Sequence, residues 1–349
     1  MLKFMSYEFF LAIISFLALE YQFDIKNKML KKNSFLCLFF IVALLLEIQS
    51  QQLPQLSQQM LYKYQYNPAY GGMERSLNII SIYRAQYLSL VGSPKILNLS
   101  IDLPLYRLHG AGGVSFYQAN SGLISNSNVK FSYNYVQGFE FGLVSIGGRL
   151  GIDRIVIDNS AITTPGGDYA TIIDHNDPIL YGTKAGISPT YELGLYFMSR
   201  SYQCGLTFAD YPGFEQINKD KFYKKSWYST MFFEYTNRSL EAYLIKPSIL
   251  IKANSNVIQT DLNAVIEHKD GLLGGISFRG YDRNSIDAIV IMAGGRISNN
   301  LRVVYSYDMG ISSLKTVHEG SHEISFSYGF QTNIGRGQAL PVIYNTRDL

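Results

Sequence analysis

The chain has 349 residues, of which 16% are charged and 14% are aromatic, and its formal net charge is +3. Soluble domains carry about 25% charged residues, so this composition favours a structure with one apolar and one polar surface. The small net charge argues against a nucleic-acid partner. Of the two cysteines, Cys37 lies in a segment that we predict to be removed, so Cys204 remains alone and is interpreted as a small hydrophobic side chain.

Residues 1–50 are predicted to be an upstream extension followed by a signal peptide. Residues 29–52 have a basic start, a short apolar run and a polar end that allows cleavage, which are the three parts of a secretory signal. The apolar run, residues 35–46, is shorter than the about 20 residues of a transmembrane helix. Met29 is therefore favoured as the true start, with a membrane anchor at residues 1–28 as the alternative.

Residues 51–74 are rich in Gln, Tyr and Pro and show no alternation of polar and apolar residues. We expect this segment to be periplasmic and either to lie across the mouth of a barrel or to enter its lumen as a plug. Tyr62, Tyr64, Tyr66 and Tyr70 could contact a protein partner, because tyrosine is enriched at interfaces. They could equally be aromatic residues at the membrane edge.

From residue 75 onward, apolar and polar residues alternate with the period of a β-strand. Many of these segments have about ten residues, which is the length that a tilted strand needs to cross a bilayer. We therefore predict an all-β fold, a transmembrane antiparallel β-barrel of about 14 strands over residues 75–330, with an N-terminal periplasmic segment. The predicted strands are 75–87, 95–105, 112–120, 125–136, 139–151, 182–198, 201–208, 227–236, 241–252, 257–267, 272–281, 286–297, 301–309 and 320–330.

The longest connections between these strands fall at one end of the predicted barrel. Starting from a periplasmic N-terminus, the odd-numbered connections should be extracellular, and the long ones, 152–181, 209–226 and 310–319, are all odd. The even-numbered ones have tight-turn chemistry and include residues 137–138, 199–200, 237–239, 269–271 and 298–300. Long outer loops and short inner turns are typical of bacterial outer-membrane barrels. Residues 331–349 follow the last strand and are expected to be a periplasmic tail.

Three features resemble chemical sites. His318 to His322 reads H-E-x-x-H, but zinc-protease chemistry needs this motif on a helix, and here a strand begins at once. Asp174, Asn176 and Asp177 could hold calcium, although a solvated turn is favoured because their spacing is not that of an EF-hand. Inward-facing charges of mixed sign are interpreted as a network that fills or braces the lumen; they are Asp102, Lys130, Lys246, Asp261, Arg302, Asp308 and Glu323.

No catalytic constellation, metal site or cofactor site is predicted, and the chain is not expected to be an enzyme. The expected function is protein binding, with the long odd-numbered loops as contacts for a partner. An outer-membrane channel or transporter for a small or hydrophobic solute is the alternative. The candidate partner-contact residues are Asp174, Asn176, Asp177, Tyr211, Phe214, Lys221, Tyr223, Tyr62, Tyr66 and Tyr70.

Several ordered sequence blocks carry a family resemblance. Residues 54–60 (PQLSQQM) and 67–72 (NPAYGG) resemble the "PQFSQYM…NPAYAG" start of the PorP/SprF family. Residues 83–95, with YRAQY and GSPK, are similar to its "YRNQW…G.PK" stretch, and 189–196 (PTYELGLY) to its "PDVGAGVYY" segment. The end, residues 307–328, resembles "YD…GSHEISLSY" and accounts for the H-E-x-x-H pattern.

The chain departs from the family pattern at two places, with Tyr87 where Trp is usual and Gly71 where Ala is usual. The resemblance implies an outer-membrane barrel of the type IX secretion and gliding-motility machinery. Its partners would be the C-terminal domain of a secreted surface protein or adhesin, periplasmic secretion components or a peptidoglycan-binding lipoprotein, and membrane lipid. The family has no assigned catalytic residues, so none are carried over.

Overall fold

Fourteen antiparallel strands form one closed barrel in chain order, and β14 closes the ring by pairing with β1. The computed structural model describes residues 55–158, 183–210, 227–254, 258–281, 285–311 and 319–330. The strands are β1 Leu77–Ala85, β2 Lys95–Leu105, β3 Gly110–Ser121, β4 Ile124–Phe139, β5 Gly142–Asp158, β6 Thr183–Met198, β7 Tyr202–Ala209, β8 Tyr228–Tyr235, β9 Tyr243–Asn254, β10 Ile258–His268, β11 Leu272–Tyr281, β12 Ser285–Arg296, β13 Leu301–Gly310 and β14 Ser321–Phe330.

The predicted barrel and its strand number are confirmed, but two boundaries were wrong. Strand β4 continues to Phe139, so residues 137–138 lie within it, and the turn falls at residues 140–141. Strand β5 continues to Asp158, where the sequence pattern had placed a loop from residue 152. Beyond Ile152 the pairing with β6 persists, although Arg154 is exposed and Ile155 is buried. Alternation reveals a strand only where one face is apolar, so it could not detect this extension.

The two faces of the sheet differ in polarity. Large apolar side chains such as Phe131, Leu150 and Leu193 stand exposed on the outside of the barrel, at 61–69% of their maximal accessibility. Their neighbours along each strand point inward and are largely polar or charged and buried, among them Ser145, Thr190 and Glu192. An apolar exterior around a polar interior is the arrangement of a membrane-spanning barrel, because the outer face contacts lipid.

Antiparallel order places all odd-numbered connections at one end of the barrel, here named the loop end, and all even-numbered connections at the other, the turn end. The longest intervals between strands, 159–182 and 210–227, belong to the loop end, and short connections such as 199–201 and 269–271 belong to the turn end. The predicted parity of long and short connections is thus confirmed. No helix among the described residues is long and apolar enough to span a bilayer.

Residues 55–76, here named the plug segment, lie inside the barrel. Gln55 accepts a hydrogen bond from Gln86 in the β1–β2 connection at the loop end. Further along, the Gly72 N–H donates to Asp102 near the turn-end terminus of β2. The segment therefore descends the lumen from the loop end to the turn end before it enters β1, with 3-10 turns at Lys63–Gln65 and Pro68–Tyr70.

Candidate functional site

A buried charged cluster holds the upper part of the plug segment. Arg84 of β1 bonds Asp308 of β13 at 2.7 Å and Glu323 of β14 at 3.3 Å. Arg279 of β11 bonds the same Asp308 at 3.1 Å. All four side chains are buried, so their charges are compensated by one another. The Ser57 hydroxyl lies at the centre, where it donates to Asp308 and accepts from Arg84.

The plug backbone completes this cluster. The N–H groups of Ser57 and Gln58 donate to the two carboxylate oxygens of Glu323 at 2.7 and 2.8 Å. The carbonyl of Leu56 accepts from Arg279 at 3.1 Å. Hydrogen bonds to charged partners are roughly twice as strong as neutral ones, so the cluster fixes this stretch of the plug segment in one register.

A second cluster holds the middle of the segment. Arg149 of β5 donates to the backbone carbonyls of Tyr64 and Gln65, and its guanidinium lies 4.7 Å from the Tyr64 ring centroid. Glu192 of β6 neutralises Arg149 at 2.8 Å and also accepts from Lys130 of β4 at 2.6 Å. One arginine thus joins two strands to the plug through charge, hydrogen bonding and ring stacking.

Lys63 is the only described lysine that the plug segment itself contributes to the lumen. Its ammonium group lies 2.8 Å from Glu234 of β8 and donates to Gln203 of β7 at 3.1 Å. Both side chains of this pair are buried, so the carboxylate of Glu234 compensates the charge of Lys63. The pair joins the plug segment to the wall.

The Asn67-Pro68-Ala69 turn rests on glycines of the wall. The side chain of Asn67 accepts from the Ala69 N–H at 2.9 Å and donates to the Leu195 carbonyl at 3.0 Å. A Cβ atom at Gly147 would lie 2.7 Å from the Ala69 nitrogen, and one at Gly194 would lie 2.3 Å from Asn67 Oδ1. These positions in β5 and β6 need glycine because the plug backbone approaches the sheet so closely.

The last part of the segment is held by two inward polar side chains. Asn134 of β4 donates to the carbonyls of Ala69 and Gly71, each at 2.9 Å. Asp102 accepts from the Gly72 N–H at 2.8 Å. Polar anchors therefore occur along the whole plug segment, which makes it an integral part of the barrel interior.

The predicted lumen network of mixed charges is confirmed by ion pairs within the described residues. Lys246 and Arg302 share Glu267 at 2.7 and 2.6 Å, and Lys130 pairs with Glu192. The network predicted from the sequence did not include five charged residues that are central to the contacts with the plug segment: Arg84, Arg149, Arg279, Glu192 and Glu234.

The predicted partner-contact residues fall into two groups. Tyr62 and Tyr70 are buried, and Tyr66 is partly buried, so their rings contact the wall of the same chain. The alternative prediction, that these tyrosines lie at the membrane edge, is wrong. Their binding to a partner stays a prediction, which these internal contacts do not favour. The others lie outside the described residues; they are Asp174, Asn176, Asp177, Tyr211, Phe214, Lys221 and Tyr223.

The H-E-x-x-H pattern coincides with the start of β14. His322 lies on this strand, where its Nδ1 atom is hydrogen-bonded to the Tyr305 hydroxyl and its ring lies 5.0 Å from that of Tyr307. Glu319 is exposed just before the strand, and His318 falls outside the described residues. Within the described part of the chain, no group of three or more His, Cys, Asp or Glu side chains has the geometry of a metal site.

These features define a class of protein, a membrane β-barrel whose lumen is filled by its own N-terminal segment. The family described as type IX secretion system membrane protein PorP/SprF matches residues 48–328. The chain therefore belongs to the PorP/SprF family, and the resemblance seen in its sequence blocks is confirmed.

Solved structures with similar folds are distant in sequence. A TodX deltaS2S3 mutant monoaromatic hydrocarbon channel has 10% identity and a TM-score of 0.44, over 81% of this chain and 96% of that one. The Ralstonia pickettii toluene transporter TbuX has 9% identity and a TM-score of 0.45, over 78% and 93%. The KdgM porin has 11% identity and a TM-score of 0.36, over 72% and 99%. No curated protein matches the chain.

Proposed function

We propose that the chain is an outer-membrane docking protein of the type IX secretion machinery, which holds a secreted surface protein such as an adhesin. The plug segment carries this proposal. It is bonded to the wall from Gln55 to Gly72, so the lumen is occupied by the chain itself. A barrel filled in this way is better suited to presenting a binding surface than to conducting a solute.

The loop end supplies that surface. Residues 159–182 and 210–227 are the longest connections between strands, and like 311–320 they begin and end at the loop end of the barrel. Loops on a rigid scaffold commonly carry binding residues. The secreted partner would contact these loops, including Asp174, Tyr211 and Tyr223. Periplasmic secretion components or a peptidoglycan-binding lipoprotein would contact the turn end and the tail 331–349.

Affinity purification of a tagged copy from outer membranes in mild detergent tests the docking function. We expect a large secreted surface protein to co-purify in stoichiometric amount, as identified by mass spectrometry. Replacing residues 211–226 by a Gly-Ser linker of equal length should remove that partner. The matched control replaces residues 237–241 at the turn end and should retain it.

Two results would contradict docking. One is a partner-free barrel from cells that secrete normally, and the other is normal adhesin display in a strain that lacks the gene. Conductance of the purified barrel in planar bilayers then tests the alternative function, a channel or transporter for a solute. Large, stable channels in the unaltered protein would favour transport of a solute.

A further inference from the structure

The outer face of β2 to β5 changes from apolar to polar at one level of the barrel. Phe116 of β3, Val129 of β4 and Ile152 of β5 lie side by side in one outward row, because each is the register partner of the next. The part of β4 from Val129 to Phe139 has the length of about 9–11 residues that a tilted strand needs to cross a bilayer. This row therefore marks the loop-end boundary of the apolar surface.

The strands continue beyond this boundary toward the loop end, since β4 begins at Ile124 and β5 ends at Asp158. There the outward side chains are polar, apart from Leu97 and Val156 at the ends of the rows. The next two rows contain amide, hydroxyl and cationic groups, which are Gln118, Ser127 and Arg154 in the first and Lys95, Asn120 and Ser125 in the second. These rows lie just beyond the apolar band, at the level of lipid headgroups.

The two cations in these rows differ from the other Lys and Arg residues of the described strands. Lys95 and Arg154 point outward and are exposed, whereas the others lie on the inner face of the sheet. Inward cations such as Arg84 and Arg149 are paired with carboxylates. Within the described part of the chain, Lys95 and Arg154 have no ion-pair partner. Asp158, an acidic residue on the same face, lies two outward positions beyond Arg154.

The spacing of these cations indicates a ligand larger than a single phosphate. They stand on β2 and β5, which are three strand spacings apart, or about 14 Å. Between them lie the amides of Gln118 and Asn120 and two serine hydroxyls, of which that of Ser125 donates to the Asn120 amide oxygen. Cations bind phosphate, and amides and hydroxyls both donate to and accept from sugar hydroxyls. A headgroup with sugars and phosphates, attached to acyl chains, matches the whole surface.

We propose that the loop-end outer face of β2 to β5 binds a phosphorylated glycolipid of the outer leaflet. Arg154 and Lys95 bond its phosphates, the amides and hydroxyls between them bond its sugars, and its acyl chains lie along the apolar band. A glycolipid fits better than an ordinary anionic phospholipid, because the polar rows offer hydrogen bonds in addition to charge. The assignment to the outer leaflet follows from the loop end facing the cell exterior.

This surface is separate from the loops proposed for docking. Lipid binding to the purified barrel needs no secreted protein, so the docking function and the glycolipid site can fail or succeed independently. Native mass spectrometry of the purified full chain in detergent, titrated with diphosphoryl lipid A, tests the site. We expect saturable binding that Lys95→Gln and Arg154→Gln each weaken by about fivefold, the contribution of one Lys or Arg near a lipid surface. The double variant should bind about 25-fold more weakly.

The matched control is the double variant Arg200→Gln, Lys269→Gln. It also removes one arginine and one lysine, from exposed positions in two connections of the turn end. The net charge of the protein falls equally, but lipid A binding should stay unchanged. Circular dichroism establishes that each variant is folded.

The double variant Ser125→Ala, Ser127→Ala separates sugar recognition from charge. It should weaken lipid A binding by about fivefold to tenfold, the effect of losing one or two hydrogen bonds. Binding of phosphatidylglycerol, an anionic lipid whose headgroup has no sugar, should not change. That lipid should bind the unaltered protein less tightly than lipid A does, and inorganic phosphate should not displace lipid A.

The proposal is overturned if lipid A does not saturate, or if the loop-end and turn-end charge variants bind it alike. Binding of phosphatidylglycerol as tight as that of lipid A would mark a surface for any anionic lipid. Displacement of lipid A by inorganic phosphate would mark a simple anion site. Either of these two results also overturns the assignment to a glycolipid.

Discussion

At the scale of single residues, Arg84 is one of the most completely buried charged side chains in the described part of the chain. Its guanidinium is buried between Asp308 and Glu323, and it also donates to the Ser57 hydroxyl of the plug segment. The attraction within a buried ion cluster offsets the cost of desolvation only when every member is paired. The residue therefore joins β1, β13, β14 and the plug, and its removal affects all four.

Arg84→Met should lower the free energy of unfolding by about 3–5 kcal/mol, because Glu323 would remain buried without its cation. Urea unfolding in micelles, followed by far-ultraviolet circular dichroism, measures the change. Lys95→Met, at an exposed position of β2, should change the free energy by no more than about 0.5 kcal/mol. Equal unfolding midpoints for the two variants would show that the cluster does not stabilise the barrel.

At the scale of elements, the plug segment and the wall fit each other through glycine. Gly147 and Gly148 are neighbours in β5 but point to opposite faces. A Cβ atom on the first would meet the Ala69 backbone at 2.7 Å, whereas on the second its nearest contact, with Leu193, is at 3.9 Å. Alanine substitutions at Gly147 and at Gly148 therefore separate the effect of contact with the plug segment from any effect of alanine on the strand itself.

Gly147→Ala should displace the plug segment, because the clash is with backbone atoms that cannot rotate away. We expect higher conductance in planar bilayers and faster proteolysis within residues 55–76 than in the unaltered protein. Gly148→Ala should match the unaltered protein in both measurements. If Gly147→Ala matches the unaltered protein in both conductance and resistance to proteolysis, the position of the plug segment does not depend on this close approach.

The strands were predictable from sequence and the plug contacts were not. Alternation identifies β11 and β14 because their outward residues are apolar. It gives no signal for Arg84 in β1, because the inward neighbours Ile80 and Ile82 are as apolar as the outward Ile79. The plug segment has no periodicity, and its partners are distant in the chain, as in the contact of Ser57 with Glu323. Such contacts depend on the closed fold, which no local pattern encodes.

At the scale of the whole molecule, antiparallel strand order separates the loop end of the barrel from the turn end. Val91 is fully exposed in the β1–β2 connection of the loop end, and Asp270 is exposed in the β10–β11 turn of the turn end. The assignment of the loop end to the cell exterior is a prediction from the outer-membrane pattern. These two positions test it directly.

Val91→Cys and Asp270→Cys, each in a Cys37→Ser, Cys204→Ala background, should differ in labelling by a membrane-impermeant maleimide. On intact cells only Val91→Cys should react, whereas both should react after the outer membrane is permeabilised. Loss of the exposed Asp270–His268 pair costs little, so the second variant should fold normally. Labelling of Asp270→Cys alone on intact cells would reverse the assigned orientation.

The bonds between the plug segment and β14 have a consequence for biogenesis. Ser57 is close to the beginning of the described chain and Glu323 close to its end, and the strand pair β1–β14 is the seam that completes the ring. Once that seam is formed, the wall has no lateral gap through which twenty residues could pass. We expect the plug segment to be enclosed as the sheet curls around it, so that the final strand adds to a surface that already includes Ser57 and Gln58. The earliest synthesised part of the described chain would then act as an internal template for the last step of assembly.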